Sequence, residues 1–262
     1  MCDTLFKYLD FKGGLMMLQM GNLQFTNASQ LNDPFDCHPS LINYSNVRNR
    51  AAEVWGKKLV EEVETNHAEN RRDQTWICSL SKDCYSLLMW SYYCNHKGVC
   101  VGFDREKTRT CLKNIVQTIY IGALEMEVQY KEVVEKPDYF HDRLDFLKYQ
   151  LSTKAKDWAH EQEVRFLLIN PTPSPVPNHP SLVSMALSND ERYNQMKEID
   201  YREVRAYYKL KPDCFESVYL GFNMPSQDRI KIIETARKLN PEIKIYQMKP
   251  DPEAYKLKAN LV

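Results

Sequence analysis

Trp158-Ala159-His160-Glu161-Gln162-Glu163-Val164-Arg165-Phe166-Leu167-Leu168-Ile169 joins two kinds of local structure. Residues 139–157, which lead into it, carry apolar side chains at helical spacing and predict an amphipathic helix. Its last part, from Val164 to Ile169, is a short apolar run of the length typical of a buried strand. The stretch therefore predicts a helix that leads directly into a core strand, with charged side chains at the junction.

Short strands and helices are predicted on both sides of this junction, in no regular alternation. Strand patterns fall at 23–26, 75–80, 99–103, 204–208, 218–222 and 243–247, with further strand material in 115–130. Helical patterns fall at 13–20, 46–68 and 87–93, and a last helix is expected to be capped by Ser226. A regular alternation would indicate a doubly wound sheet, so this order predicts an α+β fold with a C-terminal strand-helix-strand portion.

The length of 262 residues suits one large domain. In it we expect 1–170 to form a catalytic-like core and 196–262 to form the C-terminal portion. Hydrophobic residues make up 43% and charged residues 27%, which excludes a disordered chain, a collagen and a coiled coil. Five prolines in 171–180 exclude a helix or a central strand there and predict a loop. No apolar run could span a bilayer and no secretory signal is visible, so we expect a cytoplasmic protein without membrane contact.

The composition also excludes several functional classes. The chain has 35 basic and 35 acidic residues, and this balance argues against a large nucleic-acid interface but not against a local basic cleft. Its eight cysteines form no C-x-x-C pair, and the spacing of Cys94, His96 and Cys100 does not suit structural zinc, so we expect reduced thiols and no metal. The glycine-rich motifs of P-loop NTPases and Rossmann dehydrogenases are absent, as is the G-x-S-x-G motif of α/β-hydrolases.

The strongest candidate site is the pair of carboxylates at the helix–strand junction. If the junction is extended, Glu161 and Glu163 point to the same side, because side chains two residues apart share a face of a strand. Two like charges in one cleft repel, so they require a perturbed pKa or a cationic partner such as Arg165. A solvated charge pair at the mouth of a strand, tied by Arg165, is the alternative interpretation.

Two weaker candidates lie on predicted strands or near the start of the chain. Ser79 and Ser81 alternate at the end of an apolar strand, which places both hydroxyls on one face. Lys7 beside Tyr8 could hold an anion or an aromatic ring. The alternatives are a serine turn at the strand end and a surface lysine beside a core tyrosine.

Two further segments concentrate polar or aromatic side chains. Asn32, Asp33 and Asp36 belong to a turn sequence whose carboxylates satisfy nearby amides more readily than they bind a metal with His38. The segment 89–99 is dense in aromatic residues, of which Trp90 and Tyr93 could form a pocket wall, and His96 could make a pH-sensitive contact. A core helix that ends in a glycine-containing turn explains the same segment.

Taken together and in order, these pieces resemble a bacterial family described only as a domain of unknown function. The resemblance covers about residues 5–169, and 219–224 also fit it. It is carried by Lys7-Tyr8, Leu23-x-Phe25, Asn32-Asp33-Pro34-Phe35-Asp36, Cys78-x-x-Ser81, Met89-Trp90-Ser91-x-Tyr93, His96-Lys97-Gly98 and Trp158-x-x-Glu161-x-Glu163-x-Arg165. Tyr92 stands where a histidine is expected.

That family in turn is similar to mono-ADP-ribosyltransferases, whose mixed-sheet fold splits NAD⁺. Such enzymes carry a basic residue on the first strand, an S-x-S strand and an E-x-E motif. The resemblance implies that Glu163 stabilises an oxocarbenium-like centre and that Glu161 orients or deprotonates the acceptor. It assigns substrate binding to six further residues, namely Lys7, Tyr8, Ser79, Ser81, Trp90 and Tyr93. Lys7 departs from the usual Arg or His, and Ser79-Leu80-Ser81 departs from the S-T-S consensus.

Three functions follow as hypotheses. The resemblance implies an NAD-consuming transferase or glycohydrolase, including a toxin or an anti-phage effector, that acts on NAD and an unidentified protein or nucleic-acid acceptor. A metal-dependent nuclease could use Asp33, Asp36 and the two glutamates, with Lys148 or Lys154 nearby. A non-catalytic binding module would use the same carboxylates only as a charged strand mouth.

Overall fold

The chain folds into an α+β structure, as the sequence predicts. The computed structural model describes residues 4–43, 72–73, 75–119, 123–138, 145–169 and 205–262. Its helices are α1 (Phe11–Met20), α2 (Leu87–Cys94), α3 (Arg105–Ile119), α4 (Asp145–Ser152) and α5 (Ser226–Leu239). Its strands are β1 (Thr4–Leu9), β2 (Asn22–Asn27), β3 (Thr75–Ser81), β4 (Val99–Asp104), β5 (Ala123–Glu127), β6 (Gln129–Lys131), β7 (Thr153–Ala155), β8 (Glu163–Ile169), β9 (Arg205–Lys209), β10 (Phe215–Leu220), β11 (Lys244–Pro250) and β12 (Leu257–Leu261).

Ten of these strands form one mixed sheet. Its main path runs β12-β11-β10-β4-β1-β3-β2-β9, with β8 paired to β3 and β5 paired to β8. Within this sheet β10 and β11 are parallel, joined by α5, and the other described pairs are antiparallel. Strands β6 and β7 form a separate parallel pair. Residues 210–214 alone separate β9, at one end of the path, from β10, which pairs with β4.

The sheet splits beside β3. This strand pairs with β8 from Thr75 to Ser81, but it meets β1 only at Phe6 opposite Ser81. Strand β1, by contrast, pairs with β4 along its whole length. Because β1 and β3 diverge after one shared position, an opening forms between the first strand and the middle of β3.

One large core cluster contains residues from both sides of this split. Val99, Val101 and Phe103 of β4 are fully buried, which explains the continuous apolar run in that strand. Helix α1 lies directly against them, since a Cβ added at Gly14 would come within 2.2 Å of Val99 Cγ2. Asp10 caps this helix by accepting a hydrogen bond from the Gly13 backbone amide at 2.7 Å.

Several local expectations prove wrong. The helix predicted over 139–157 ends at Ser152 and is followed by β7 and a 3₁₀ turn over Lys156–Glu161. Ser226 is the first residue of α5 rather than its cap. The strand material expected within 115–130 is confirmed by β5 and by the first residues of β6, which follow the end of α3 at Ile119. The predicted helix over 46–68 and the predicted loop over 171–180 lie outside the described residues. Among the described helices, none combines the length and the apolar character that crossing a membrane requires.

Candidate functional site

A cavity of about 170 Å³ occupies the opening between β1 and β3. Side chains from widely separated parts of the sequence line it. Its charged and hydroxyl-bearing walls include Lys7, Asp36, Ser79, Lys154, Glu161 and Glu163. The split in the sheet thus brings both glutamates of the E-x-E motif together with the first-strand lysine and the serine of β3.

The two glutamates face the cavity through a bend rather than an extended junction. Glu161 is the last residue of the 3₁₀ turn, Gln162 has a left-handed backbone with φ of 44°, and Glu163 begins β8. Both carboxylates are buried, with exposed fractions of 4% and 3%. The prediction that they share one cleft is confirmed, although the backbone geometry assumed for it was wrong.

Arg165 fixes Glu163 from within the core. Its guanidinium donates to the Glu163 carboxylate at 2.8 and 3.1 Å and to the Asp36 carboxylate at 2.8 and 2.6 Å. It also donates to the Leu151 backbone oxygen at 2.8 Å. The side chain is fully buried, and these bonds use the whole donor fork. Arg165 is therefore an anchor that ties the β8 glutamate to the turn containing Asp36.

Glu163 remains ionised despite its burial. Burial alone would raise the pKa of this carboxyl, but Arg165 and Lys154 outweigh that effect and lower the pKa to about 2. A hydrogen bond from Ser79 acts in the same direction. The site thus holds a carboxylate that stays charged at any physiological pH.

A second set of contacts fixes Glu161. The Tyr93 hydroxyl donates to one of its carboxylate oxygens, and Lys154 Nζ lies 2.6 Å from the other. Burial and the neighbouring Glu161 raise the pKa of Tyr93, so its hydroxyl stays protonated and able to donate. Asn32 lies at the same cavity wall, which places this predicted turn residue beside Tyr93 in the lining.

The first strand supplies the opposite wall. Lys7 Nζ donates to the Ser79 backbone oxygen at 2.8 Å, across the gap between β1 and β3. Tyr8 also lines the cavity, but its hydroxyl donates to the Asp83 backbone oxygen at 2.8 Å and its ring packs edge-on against Trp90. Lys7 thus supplies the basic side chain of this wall.

Other predicted site residues have structural contacts. Trp90 is buried in a second apolar cluster and donates its indole N–H to the Cys84 backbone oxygen. Ser81 lines the cavity, yet its hydroxyl bonds the backbone of Asp83. Asp33 accepts from the Phe35 amide, as expected for a turn, and His96 packs against Phe222. The structure does not bring Trp90, Asp33 or His96 to the cavity wall.

Charge in this cluster is nearly balanced. Three carboxylates (Asp36, Glu161 and Glu163) meet two cations (Lys154 and Arg165), which leaves one negative charge uncompensated. Among the described residues, no group of three or more His, Cys, Asp or Glu side chains is arranged to hold a metal ion. Lys154 occupies the position between the carboxylates that a divalent cation would need.

Two residues contribute to the site although the sequence did not predict a specific place for them in it. The sequence predicts Lys154 only as one of two lysines near the carboxylates of a nuclease site. Tyr130 of β6 was not singled out at all, yet its hydroxyl accepts a hydrogen bond from the Glu163 amide at 2.8 Å. No local motif marks either residue, since both depend on how β6, β7 and β8 pack.

Comparison with known proteins gives one match. Neither the curated proteins nor the solved structures yielded any similar protein. Residues 89–166, from α2 into β8, match the model of a family described as a protein of unknown function (DUF2971), which confirms over that part of the chain the predicted resemblance to a family of unknown function.

Proposed function

We propose that the protein is an NAD-consuming mono-ADP-ribosyltransferase or NAD glycohydrolase, including the case of a toxin or an anti-phage effector. One observation carries the proposal. Lys7 of β1, Ser79 of β3 and the Glu161/Glu163 pair line a single cavity where the sheet splits. Their order along the chain is the one implied by the resemblance to ADP-ribosyltransferases.

The proposed reaction needs a fixed carboxylate beside the ribose, and this cavity provides one. In the proposed reaction the bond between ribose C1 and the nicotinamide nitrogen breaks, and both electrons leave with the nicotinamide. A lone pair of the acceptor, or of water, then forms the new bond to C1, and the acceptor gives up its proton. Positive charge develops on the ribose ring in between, as in glycoside cleavage, and a fixed carboxylate stabilises it.

The two carboxylates suit different tasks. Glu163 is ionised and held by Arg165 and Ser79, so it can face the developing charge without reorganisation. Glu161 is held by Tyr93 and Lys154 and is assigned to the acceptor, whose nucleophilic atom it would orient and whose proton it would receive.

The size and charge of the cavity fit one end of the dinucleotide. At about 170 Å³ the cavity is smaller than the roughly 300–1,000 Å³ of typical ligand pockets, so it can enclose the nicotinamide and ribose but not the whole molecule. The carboxylates of Asp36, Glu161 and Glu163 form the negative side of the cavity, to which the cationic nicotinamide end is assigned. Lys7, on the opposite wall, is the group assigned to the phosphates.

A nuclease has less support. In such an enzyme the carboxylates bind divalent cations, whereas here Lys154 and Arg165 already neutralise most of their charge. The experiment below also tests the alternative of a binding module without catalysis.

The experiment measures nicotinamide release from NAD⁺ by the purified protein, with metals chelated and with lysate added to supply acceptors. We expect Glu163→Gln to lower kcat by about 100-fold or more while NAD⁺ affinity changes little, because the charge is needed most in the transition state. The matched control is Glu132→Gln, since the side chain of Glu132 is 69% exposed and pairs with Lys156 at the surface.

Two results would overturn the proposal. If the unchanged protein releases no nicotinamide under any of these conditions, it does not catalyse the proposed reaction. Equal activity of the Glu163→Gln and unchanged proteins, with release intact, would remove Glu163 from the site and point to a different carboxylate.

A further inference from the structure

Lys154 lies at the centre of the carboxylate cluster, and the resemblance assigns it no role. Its Nζ is 2.6 Å from Glu161 Oε2, 3.5 Å from Glu163 Oε2 and 3.8 Å from Asp36 Oδ2. Nζ also lies 4.6 Å from the centre of the Trp158 ring, which confines the ammonium on a further side. Among the described side chains, Lys154 is the cation that contacts both glutamates of the motif.

Lys154 and Arg165 hold the cluster in different ways. Arg165 is fully buried, is committed to Asp36, Glu163 and a backbone oxygen, and does not form part of the cavity wall. Lys154 is also buried but lines the cavity. Its ammonium therefore stands between the fixed ion pairs and whatever enters the cavity.

The charge balance shows what Lys154 contributes. Without its ammonium, three buried carboxylates would share one guanidinium. Like charges at this separation cannot all remain ionised, because burial penalises each of them. The pKa of the Glu163 carboxyl would then be higher than in the unchanged site, where Arg165 and Lys154 together lower it.

Lys154 is also a poor nucleophile at this position. Burial would lower the pKa of its ammonium, but Glu163, Glu161 and Asp36 outweigh burial and raise it. A lysine that forms covalent intermediates needs a lowered pKa instead. The geometry therefore favours an electrostatic role.

We propose that Lys154 is a positioning residue whose ammonium offsets the charge of Glu163 and holds Glu161 against Tyr93. This deepens the proposed function, on which its kinetic consequences rest, whereas its effect on the carboxylates does not depend on any activity.

Several groups face this ammonium and the carboxylates that it contacts. Asp36 comes from the turn after β2, Glu161 and Trp158 from the 3₁₀ turn, and Glu163 and Arg165 from β8. Two protonated phenols complete the surroundings, Tyr93 from α2 and Tyr130 from β6.

The first test is a titration without substrate. Carboxyl signals of protein with ¹³C-labelled glutamate are followed by NMR in the unchanged protein, Lys154→Met and Lys154→Arg, and Glu163→Gln identifies the signal of Glu163. We expect this signal in Lys154→Met to titrate at a pH higher by about one unit or more, since a cation within 4 Å is removed. Lys154→Arg should restore most of the original midpoint.

The matched control is Lys156→Met, two residues away, whose side chain is 63% exposed and pairs with Glu132. It should leave the titration unchanged. A Glu163 signal that titrates alike in Lys154→Met and Lys156→Met would overturn the proposal. If neither the unchanged protein nor any variant releases nicotinamide, but the titration is as expected, the proposed function is wrong. The proposed role of Lys154 then still holds.

The second test is kinetic. In Lys154→Met the acid limb of the pH profile of kcat/KM should move to higher pH by a similar amount, with a smaller change in KM than in kcat. If Lys154→Met does not fold, Lys154→Met combined with Glu161→Gln removes one charge of each sign. The double variant should fold, because it restores the original charge balance, and its failure to regain stability would contradict the electrostatic role.

Discussion

Arg165 shows at the level of one residue how the site depends on the core. Replacing it with alanine leaves Asp36 and Glu163 buried with one cation between three carboxylates. We expect Arg165→Ala to lower the free energy of unfolding by about 3–5 kcal/mol, the usual cost of removing one partner of a buried ion pair. Urea unfolding followed by circular dichroism measures this loss.

Arg109 provides the comparison for that variant. It also forms ion pairs, with Glu106 and Glu125, but it lies at the surface with about a third of its side chain exposed. Arg109→Ala should cost no more than about 1 kcal/mol. Similar losses in the two variants would mean that the cluster around Arg165 is relaxed or hydrated enough to tolerate an unpaired carboxylate.

The residues that sequence reasoning found are those with a motif or an alternation around them. The E-x-E pair, the serines of β3 and Lys7 could be proposed because their order resembles a known arrangement. Lys154 could not, because its importance arises from three carboxylates that lie 118, 7 and 9 positions away along the chain (36, 161 and 163 against 154). Local sequence carries no trace of such a contact.

At the level of elements, α1 can lie close to β4 because Gly14 has no side chain. Gly14→Ala would place a methyl group 2.2 Å from Val99 Cγ2, inside a fully buried strand. Overpacking of this kind costs about 1–3 kcal/mol and outweighs the gain of about 1 kcal/mol in helix propensity. We expect Gly14→Ala to lower the urea midpoint.

Gly13→Ala separates the two effects in the same helix. Its new methyl group would meet Asp10 Oδ1, the oxygen that caps the helix, at 2.9 Å. Displacing the cap costs about 1 kcal/mol and offsets the propensity gain, so this variant should be nearly neutral and its midpoint should lie above that of Gly14→Ala. An equal midpoint would show that α1 does not press on β4 as described.

Element types were predictable where the pattern was long and unmixed. The buried runs of β3, β4 and β8 were found nearly to the residue, since strands with both faces covered read as continuous apolar sequence. Helix α3 was not predicted, although Leu112, Ile115, Val116 and Ile119 have helical spacing, because its apolar end was taken together with the strand material of 115–130. Strand β7 was read as helix because a three-residue strand leaves no period to detect.

At the level of the whole molecule, the C-terminal portion shares a hydrophobic core with the strands that precede it. Phe215, Val218 and Leu220 of β10 belong to the same cluster as residues of β1, β2 and β4. We expect a single cooperative unfolding transition, with coincident curves from far-ultraviolet circular dichroism and tryptophan fluorescence in urea. Two separated transitions would show that 196–262 forms a unit of its own.

The short connection between β9 and β10 has a mechanical consequence. In a flat sheet the five spacings from β9 to β10 would cover about 24 Å, whereas residues 210–214 can reach roughly 20 Å. The sheet must therefore curl until its two halves approach. This five-residue connection spans the seam between β1 and β3 and limits how far the two halves of the sheet can move apart.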